Sequence, residues 1–140
     1  TTTKTTNTIT SSSSSYGSMF QYVCGSEFLR LGNGCYYFST EMTTWRNAHF
    51  QCRGRDSQLA VLSSEWEDGV MRAHLNKPQM TRLNRWLGGI YDWSQNEWVW
   101  GSSGEVMKYS GFLQHNPRPN SPRWKCVYTA PGLYFRWNYT

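Results

Sequence analysis

The chain has no long hydrophobic run, no closely spaced metal-binding motif and little charge, and each absence removes a class of function. Nowhere in its 140 residues are there about 18 consecutive apolar positions, the length that a membrane-spanning helix needs. No Cys-x-x-Cys or His-x-x-x-His pair indicates a zinc site. Charged residues make up only 16% of the chain and the basic ones are scattered, so the net charge of +5 does not indicate a nucleic-acid-binding protein.

The N-terminal segment is poor in apolar side chains. In residues 1–15, Thr and Ser supply twelve positions and Ile9 is the only apolar residue, so burial cannot offset the entropy of ordering them. We therefore predict residues 1–19 to be a disordered linker or an O-glycosylated stalk, and residues 20–140 to be one domain. Because the chain begins with Thr1 and shows no secretory signal, we expect it to be a fragment or a processed piece.

Four cysteines are present, and their spacing differs. Cys24 and Cys35 bracket ten residues that include a Gly-Asn-Gly turn, which suits a local hairpin disulfide. We predict this bond, with α-carbons about 4.4 to 6.8 Å apart. Cys52 and Cys126 lie far apart along the chain, in segments of different kinds.

Two amphipathic helices are predicted. The first lies in TTWRNAHFQCRG, begins at an N-cap Thr43 or Thr44, and has an apolar face formed by Trp45, Ala48, His49 and Cys52. The second opens at the capping box of Ser64 to Glu67 and ends before Pro78. Its spacing predicts an inward face of Trp66, Val70 and Ala73.

Strands are predicted from short aromatic and β-branched runs. They lie at residues 20–23 and 35–39 around the glycine turn, at WLGGI and WVW, and at KCVYT and YFRW. Trp86, Trp98 and Trp100 are expected in the core, and Gly88 with Gly89 indicates a bulge or a close backbone approach. Between WVW and KCVYT runs a long proline-containing stretch, and loops of that length are usually functional or disordered. The pattern predicts an α+β domain.

The order of these features resembles the C-type lectin-like domain across residues 24–140. CYYF, TWRNAHFQC and LAVL resemble its opening strand, first helix and following strand, while WLGGIYDWSQNEWVW and KCVY resemble its core signature and next cysteine strand. The resemblance implies a C-type lectin-like fold, with two helices packed on short antiparallel sheets and a long ligand loop. It also implies an extracellular location, in a secreted protein or the ectodomain of a membrane protein.

The resemblance further implies partners for the remaining cysteines. In the family, the cysteines that match Cys52 and Cys126 pair with cysteines nearer the C-terminus, which here would lie beyond Thr140. We therefore expect the last strand to be missing, with an unpaired edge left beside the first strand.

Calcium is disfavoured by the residues at the family's ligand positions. Sugar-binding relatives use an acidic loop tripeptide, a Glu before the cysteine strand and an Asn-Asp pair. Here the loop tripeptide reads Arg118-Pro119-Asn120, or less well Asn116-Pro117-Arg118. The other two positions read Arg123-Trp124-Lys125 and Trp137-Asn138-Tyr139, and none of these residues is a carboxylate. Ca²⁺ takes six to eight oxygens, usually with carboxylates among them, and Arg118 adds a repelling cation. At a second family position only Asp92 is acidic, so we expect no cofactor. Whether Pro119 follows a cis or a trans bond stays open.

The basic loop is the candidate ligand site. The proposed ligand-binding residues are His115, Asn116, Arg118, Asn120, Arg123, Trp124 and Asn138. Cations beside an aromatic ring suit an anionic glycan or an acidic protein face, although a plain solvated loop is the alternative.

The resulting prediction is a carbohydrate-binding module for a glycan or glycoprotein, weak or calcium-independent; the alternative is a protein-binding module. Asn138-Tyr139-Thr140 is an N-glycosylation sequon. No enzyme is expected, because His49 lies on a helix's apolar face and His74 and His115 have no motif partner.

Overall fold

A computed structural model describes residues 6–11, 24–115, 117–121, 123 and 125–140, with the backbone alone described for 6–11. In chain order the elements are β1 (Thr6–Ser11), β2 (Leu29–Leu31), β3 (Gly34–Phe38), α1 (Trp45–Gly54), β4 (Ser57–Leu59), α2 (Glu65–Leu75), β5 (Arg85–Asp92), β6 (Glu97–Trp100), β7 (Cys126–Ala130) and β8 (Arg136–Tyr139). A short 3-10 turn, Pro131–Leu133, joins the last two strands. Two helices on largely antiparallel strands confirm the α+β prediction.

The strands form one sheet with β1 at its centre. Its order is β2-β3-β1-β5-β7-β8, with β4 also paired to β1 and β6 to β5. The β1–β5 pair is parallel and the other pairs are antiparallel.

Strand β1 differs from the expectation that residues 1–15 stay outside the fold. It pairs with β3, from Thr8 opposite Phe38 to Ser11 opposite Cys35, and so covers the edge that we expected to be unpaired. The physical reason is that ladder hydrogen bonds come from the backbone and need no apolar side chains, while Thr and Ile suit extended structure. The rest of the predicted 1–19 linker lies outside the described residues.

The predicted N-terminal hairpin is present with a different first strand. Residues 20–23 lie outside the described part, and β2 at Leu29–Leu31 pairs with β3 across a turn in which Gly32 has φ of 59°. Leu29–Leu31 takes this place because only a short turn separates it from β3. Cys24 and Cys35 are bonded, with α-carbons 5.6 Å apart, which confirms the predicted disulfide.

Both helices form as predicted, but the residues predicted for the inward face of α2 were wrong. Thr44 and Ser64 cap α1 and α2 through their side chains. Trp66 is 56% exposed and lies over the hairpin turn. The buried face of α2 consists instead of Asp68, Met71, His74 and Leu75, because Asp68 finds hydrogen-bond donors inside the protein. No helix in the described part is long and apolar enough to cross a membrane.

The tryptophan core and the glycine pair of β5 match the predictions. Trp86, Trp98 and Trp100 are all buried. The β5–β7 register shifts between Trp86 and Ile90, and a Cβ on Gly88 would lie 3.1 Å from a backbone carbonyl oxygen. The predicted bulge and close backbone approach are therefore both present.

Candidate functional site

The long loop between β6 and β7 is anchored to the tryptophan core by hydrogen bonds. The Met107 amide donates to the Trp98 carbonyl over 2.9 Å, and the Trp98 indole donates to the Pro117 carbonyl over 2.9 Å. Further along, the Trp93 indole donates to the Arg123 carbonyl over 3.0 Å. Two indole N–H groups and one backbone carbonyl thus fix the loop at three places.

A buried carboxylate links this loop to α2 and β8. Asp68 is fully buried and accepts hydrogen bonds from the Arg72 guanidinium at 2.8 Å, the Tyr109 hydroxyl at 2.5 Å and the Trp137 indole at 3.1 Å. Burial and this hydrogen bond to Asp68 raise the pKa of Tyr109 to about 12. Tyr109 is therefore a neutral donor at physiological pH, and it positions the middle of the loop.

The anchored loop encloses a cavity of about 440 Å³ against β5 and β6. This loop cavity is lined by Tyr91, Asn96, Glu97, Trp98, Met107, Lys108, Tyr109, Ser110, His115, Pro117 and Arg118. Its side chains combine two cations, one carboxylate, several neutral polar groups and aromatic rings. Such a lining can both donate and accept hydrogen bonds around a polar ligand.

A second depression lies on the other side of Pro117. This side recess has a volume of about 270 Å³ and is lined by Phe112, Leu113, Gln114, Pro117, Leu133, Trp137, Asn138 and Tyr139. It is more apolar, and Leu113 at its border is 57% exposed. A larger cleft of about 580 Å³ lies between α1 and β4, and no predicted ligand residue is among those that line it.

The structure distributes the predicted ligand residues among different places. His115 and Arg118 line the loop cavity, whereas Asn138 lines the side recess. Asn120 and Arg123 are exposed, and neither is among the residues lining these two depressions. Asn116 and Trp124 lie outside the described residues.

Sequence reasoning missed part of the loop cavity. Tyr91 comes from β5, Asn96 and Glu97 from the turn into β6, and Lys108 and Tyr109 from the first half of the loop. The sheet register brings these segments together, with Asp92 opposite Glu97. The one local signal is the turn YDWSQNE itself, in which Asn96 adopts φ of 58°.

The residues at the family's calcium positions do not fit a calcium ion. Both oxygens of Asp92 already accept hydrogen bonds within its own turn, from Ser94 and Gln95, and these bonds lower the pKa of Asp92. The Asn138 side-chain oxygen accepts the Tyr139 amide at 2.9 Å. The Arg118–Pro119 bond is trans. In the described part of the chain, no group of three His, Cys, Asp or Glu side chains converges on a common point.

The two remaining cysteines are buried thiols in the described structure. Cys52 is on α1 and Cys126 opens β7, and both belong to the apolar cluster around Trp86. Burial raises the pKa of Cys126 to about 12, which makes this thiol unreactive at neutral pH. The partners that the resemblance implies for these cysteines stay a prediction.

Comparison with known proteins gives consistent matches. Residues 41–138 match the family model of the lectin C-type domain. The chain is 30% identical to mouse lithostathine-1 over 106 residues, covering 74% of this chain and 62% of that protein. It is 25% identical over 99 residues to killer cell lectin-like receptor subfamily F member 1 of Macaca fascicularis, covering 71% of this chain and 41% of the receptor. The chain spans about two-fifths of the length of the first curated relatives that it matches.

Solved structures agree on the fold. A complex of SPL-1 with GlcNAc superposes with a TM-score of 0.72 at 21% identity, covering 84% of each chain. The carbohydrate-recognition domain of mouse scavenger receptor C-type lectin superposes with a TM-score of 0.66 at 24% identity, covering 83% of this chain and 85% of that one. The family match, the hairpin disulfide and the anchored long loop together lead to one conclusion. The chain belongs to the C-type lectin domain family.

Proposed function

We propose that this chain is an extracellular carbohydrate-binding module that holds an anionic glycan in the loop cavity without calcium. The observation that carries the proposal is the pairing of Lys108 and Arg118 in one polar cavity beside aromatic side chains. Cations bind sulfate or carboxylate groups through charge-assisted hydrogen bonds. The sugar hydroxyls then find acceptors and donors in Glu97 and Asn96.

The comparisons support a glycan as the ligand class. One structural neighbour was solved as a complex with GlcNAc, and another is titled a carbohydrate-recognition domain. Calcium independence is supported by the occupied oxygens of Asp92 and Asn138 and by the guanidinium of Arg118 in the cavity.

The experiment is a glycan array of neutral, sulfated and sialylated glycans, probed with and without a chelator. We expect binding to the anionic glycans that persists in the chelator and weakens as salt is added. Arg118→Ala should weaken binding about tenfold, or about 1.4 kcal/mol, since one charge-assisted contact is lost. Arg123→Ala removes an exposed charge of the same loop that lies outside the cavity lining, and it should bind like the parent chain.

Each alternative result has a defined meaning. Binding that the chelator abolishes would overturn calcium independence. Equal losses for Arg118→Ala and Arg123→Ala would show that general surface charge, rather than the loop cavity, attracts the glycan.

A protein-binding module is the second candidate, favoured by the exposed apolar border of the side recess. Leu113 is 57% exposed, and several relatives are named as receptors. A blank glycan array, together with binding to a cell-surface protein that Leu113→Asp abolishes, would support this candidate. Loss of glycan binding in Leu113→Asp would count against it.

The location and the absence of catalysis are part of the same proposal. The Cys24–Cys35 disulfide is of the kind that persists in oxidising compartments, which supports an extracellular setting. His49 stacks on Trp45 while His74 packs on Phe38, so these two histidines lie in separate places and form no acid–base pair. Labelling with a membrane-impermeant reagent on intact source cells tests the location. Mass spectrometry of a bound glycan after long incubation tests for hydrolysis.

We also propose that the Asn138 sequon is used in a minority of secreted chains. Asn138 is half-buried in β8, opposite Tyr128, and it lines the side recess. The glycosyl transferase needs its acceptor asparagine in an extended and flexible segment. Once β8 is paired, Asn138 no longer lies in such a segment. Treatment with peptide N-glycosidase followed by intact-mass measurement gives the occupied fraction, and full occupancy would contradict this expectation.

A further inference from the structure

Among the residues that the structure describes, three buried polar atoms far from the loop have no hydrogen-bond partner. They are the His74 Nδ1, the Arg85 Nε and the Thr129 Oγ1. The three residues are 8%, 1% and 1% exposed. Buried polar atoms are nearly always satisfied in folded proteins, so three such atoms in one small domain need an explanation.

These atoms belong to one neighbourhood, which we name the Arg85 cluster: His74, Arg85 and Thr129. Arg85 and Thr129 face each other in the antiparallel β5–β7 register, which puts their side chains on the same side of the sheet. His74 of α2 reaches the same region, because the ring of Phe38 lies 5.0 Å from the His74 ring and 5.8 Å from the Arg85 guanidinium carbon. His74 and Arg85 therefore both contact the ring of Phe38, and Thr129 lies beside Arg85 on the neighbouring strand.

The charge of the Arg85 cluster is not balanced by any carboxylate of the described chain. The ion pairs in that part are Arg55 with Glu27 and Arg72 with Asp68, and neither involves Arg85. In the described structure, Arg85 donates to the Thr81 carbonyl at 3.1 Å and its guanidinium lies over the ring of Phe38. The strand beside it, β1, has the sequence TNTITS and contributes no acid. A buried cation without a counter-charge is one of the costliest features a fold can contain.

The pKa shifts of Arg85 and His74 also indicate a positively charged site. Burial lowers the pKa of Arg85 to about 10. Burial, with the nearby charges of Lys77 and Arg85, lowers the pKa of His74. Both directions describe a positive, dehydrated site in which an anion would be stabilised.

We propose that the Arg85 cluster binds one small monoanion, of the size of chloride or formate. The Arg85 Nε–H, the Thr129 hydroxyl and a ring N–H of His74 would donate to the anion. A water molecule would satisfy hydrogen bonds but leave the guanidinium charge unbalanced, whereas an anion does both. The site lies near the start of β5, and Tyr91 of the loop cavity is about 20 Å further along that strand. The proposed anion site can therefore be confirmed or refuted independently of the proposed glycan site.

The test measures the thermal stability of the whole chain while sodium gluconate is replaced by sodium chloride or sodium formate at constant ionic strength. Because only the folded state has the site, a small bound anion should raise Tm along a saturable curve. Thr129→Val keeps the shape but removes one donor, and it should raise the anion's dissociation constant about tenfold. Arg85→Met should abolish the dependence, whereas Arg82→Met, at an exposed arginine, should keep it.

Crystals soaked in bromide provide a second readout that does not depend on whether Arg85→Met folds. An anomalous peak among His74, Arg85 and Thr129 is the expected result. Equal Tm values in chloride, formate and gluconate would overturn the proposal. So would a Thr129→Val variant whose Tm depends on the anion in the same way as the parent chain. Either result would mean that water, and not an anion, occupies the site.

Discussion

Replacing Asp68 with alanine should destabilise the domain strongly, although aspartate is usually a surface residue. The side chain is fully buried and accepts bonds from Arg72, Tyr109 and Trp137. Without the carboxylate the buried Trp137 indole N–H loses its partner, and the Arg72 cation loses its counter-charge. Breaking a buried charge pair from one side costs about 3–5 kcal/mol. The Arg72 side chain is 23% exposed and can rehydrate, which favours the lower half of that range.

The assay is urea unfolding followed by tryptophan fluorescence, with a thermal scan as a second measure. We expect Asp68→Ala to lower the free energy of unfolding by about 3 kcal/mol and Tm by roughly 10 °C. Asp68→Asn keeps the shape and an acceptor oxygen, so it should lose less. Glu105→Ala, which removes an exposed carboxylate of the long loop, should change stability by less than about 0.5 kcal/mol.

The same variant tests how the loop is held. Because Tyr109 lines the loop cavity and donates to Asp68, Asp68→Ala should also weaken glycan binding. A loss of stability below about 1 kcal/mol would refute the reasoning, since it would mean that the carboxylate contributes no more than a surface group.

Three further predictions follow from particular contacts. Reducing the disulfide of the β2–β3 hairpin should cost about 2–3 kcal/mol, measured by urea unfolding with and without reductant. The folded-state pKa of Tyr109 lies above the usual 10, so its contribution to stability is complete below about pH 10 and is lost as the pH rises towards about 12. Unfolding at stepped alkaline pH should show a smaller loss in Tyr109→Phe than in the parent chain, and the loss that remains includes that of the buried Cys126 thiol. Gly89→Ala would place a Cβ 2.9 Å from a methyl group of the buried Val127 and should cost about 1–3 kcal/mol, whereas Gly54→Ala meets no atom within 4 Å and should be neutral or stabilising in thermal scans.

Periodicity predicted the elements well where apolar spacing and burial agree. Helix α1 follows its pattern, with Trp45, Ala48 and Cys52 buried as expected. In α2 the same spacing predicted Trp66 on the inward face and did not include Asp68, because a pattern of apolar residues assigns a carboxylate to the solvent side. Only the three-dimensional placement of Trp137, sixty-nine residues later, shows that Asp68 has partners inside.

Only part of the candidate site was predicted, for a similar reason. His115 and Arg118 lie in a segment whose basic residues are visible in the sequence, and both line the loop cavity. Tyr91 and Lys108 reach the same cavity from other segments, through the β5–β6 register and the anchoring of the loop on Trp98. Such convergence depends on tertiary pairing, which local patterns do not encode.

The central position of β1 has a consequence for the order of folding. Its residues are synthesised before those of the strands they pair with, β3, β4 and β5, and the most distant partner shown is Trp86. Closing loops of that size is slow compared with forming the α-helices and the β2–β3 hairpin, so β1 should be among the last strands to enter the sheet. Until it does, β3 and β5 each present an open edge. The newly made chain is thus most prone to pair with a second copy of itself during this late step.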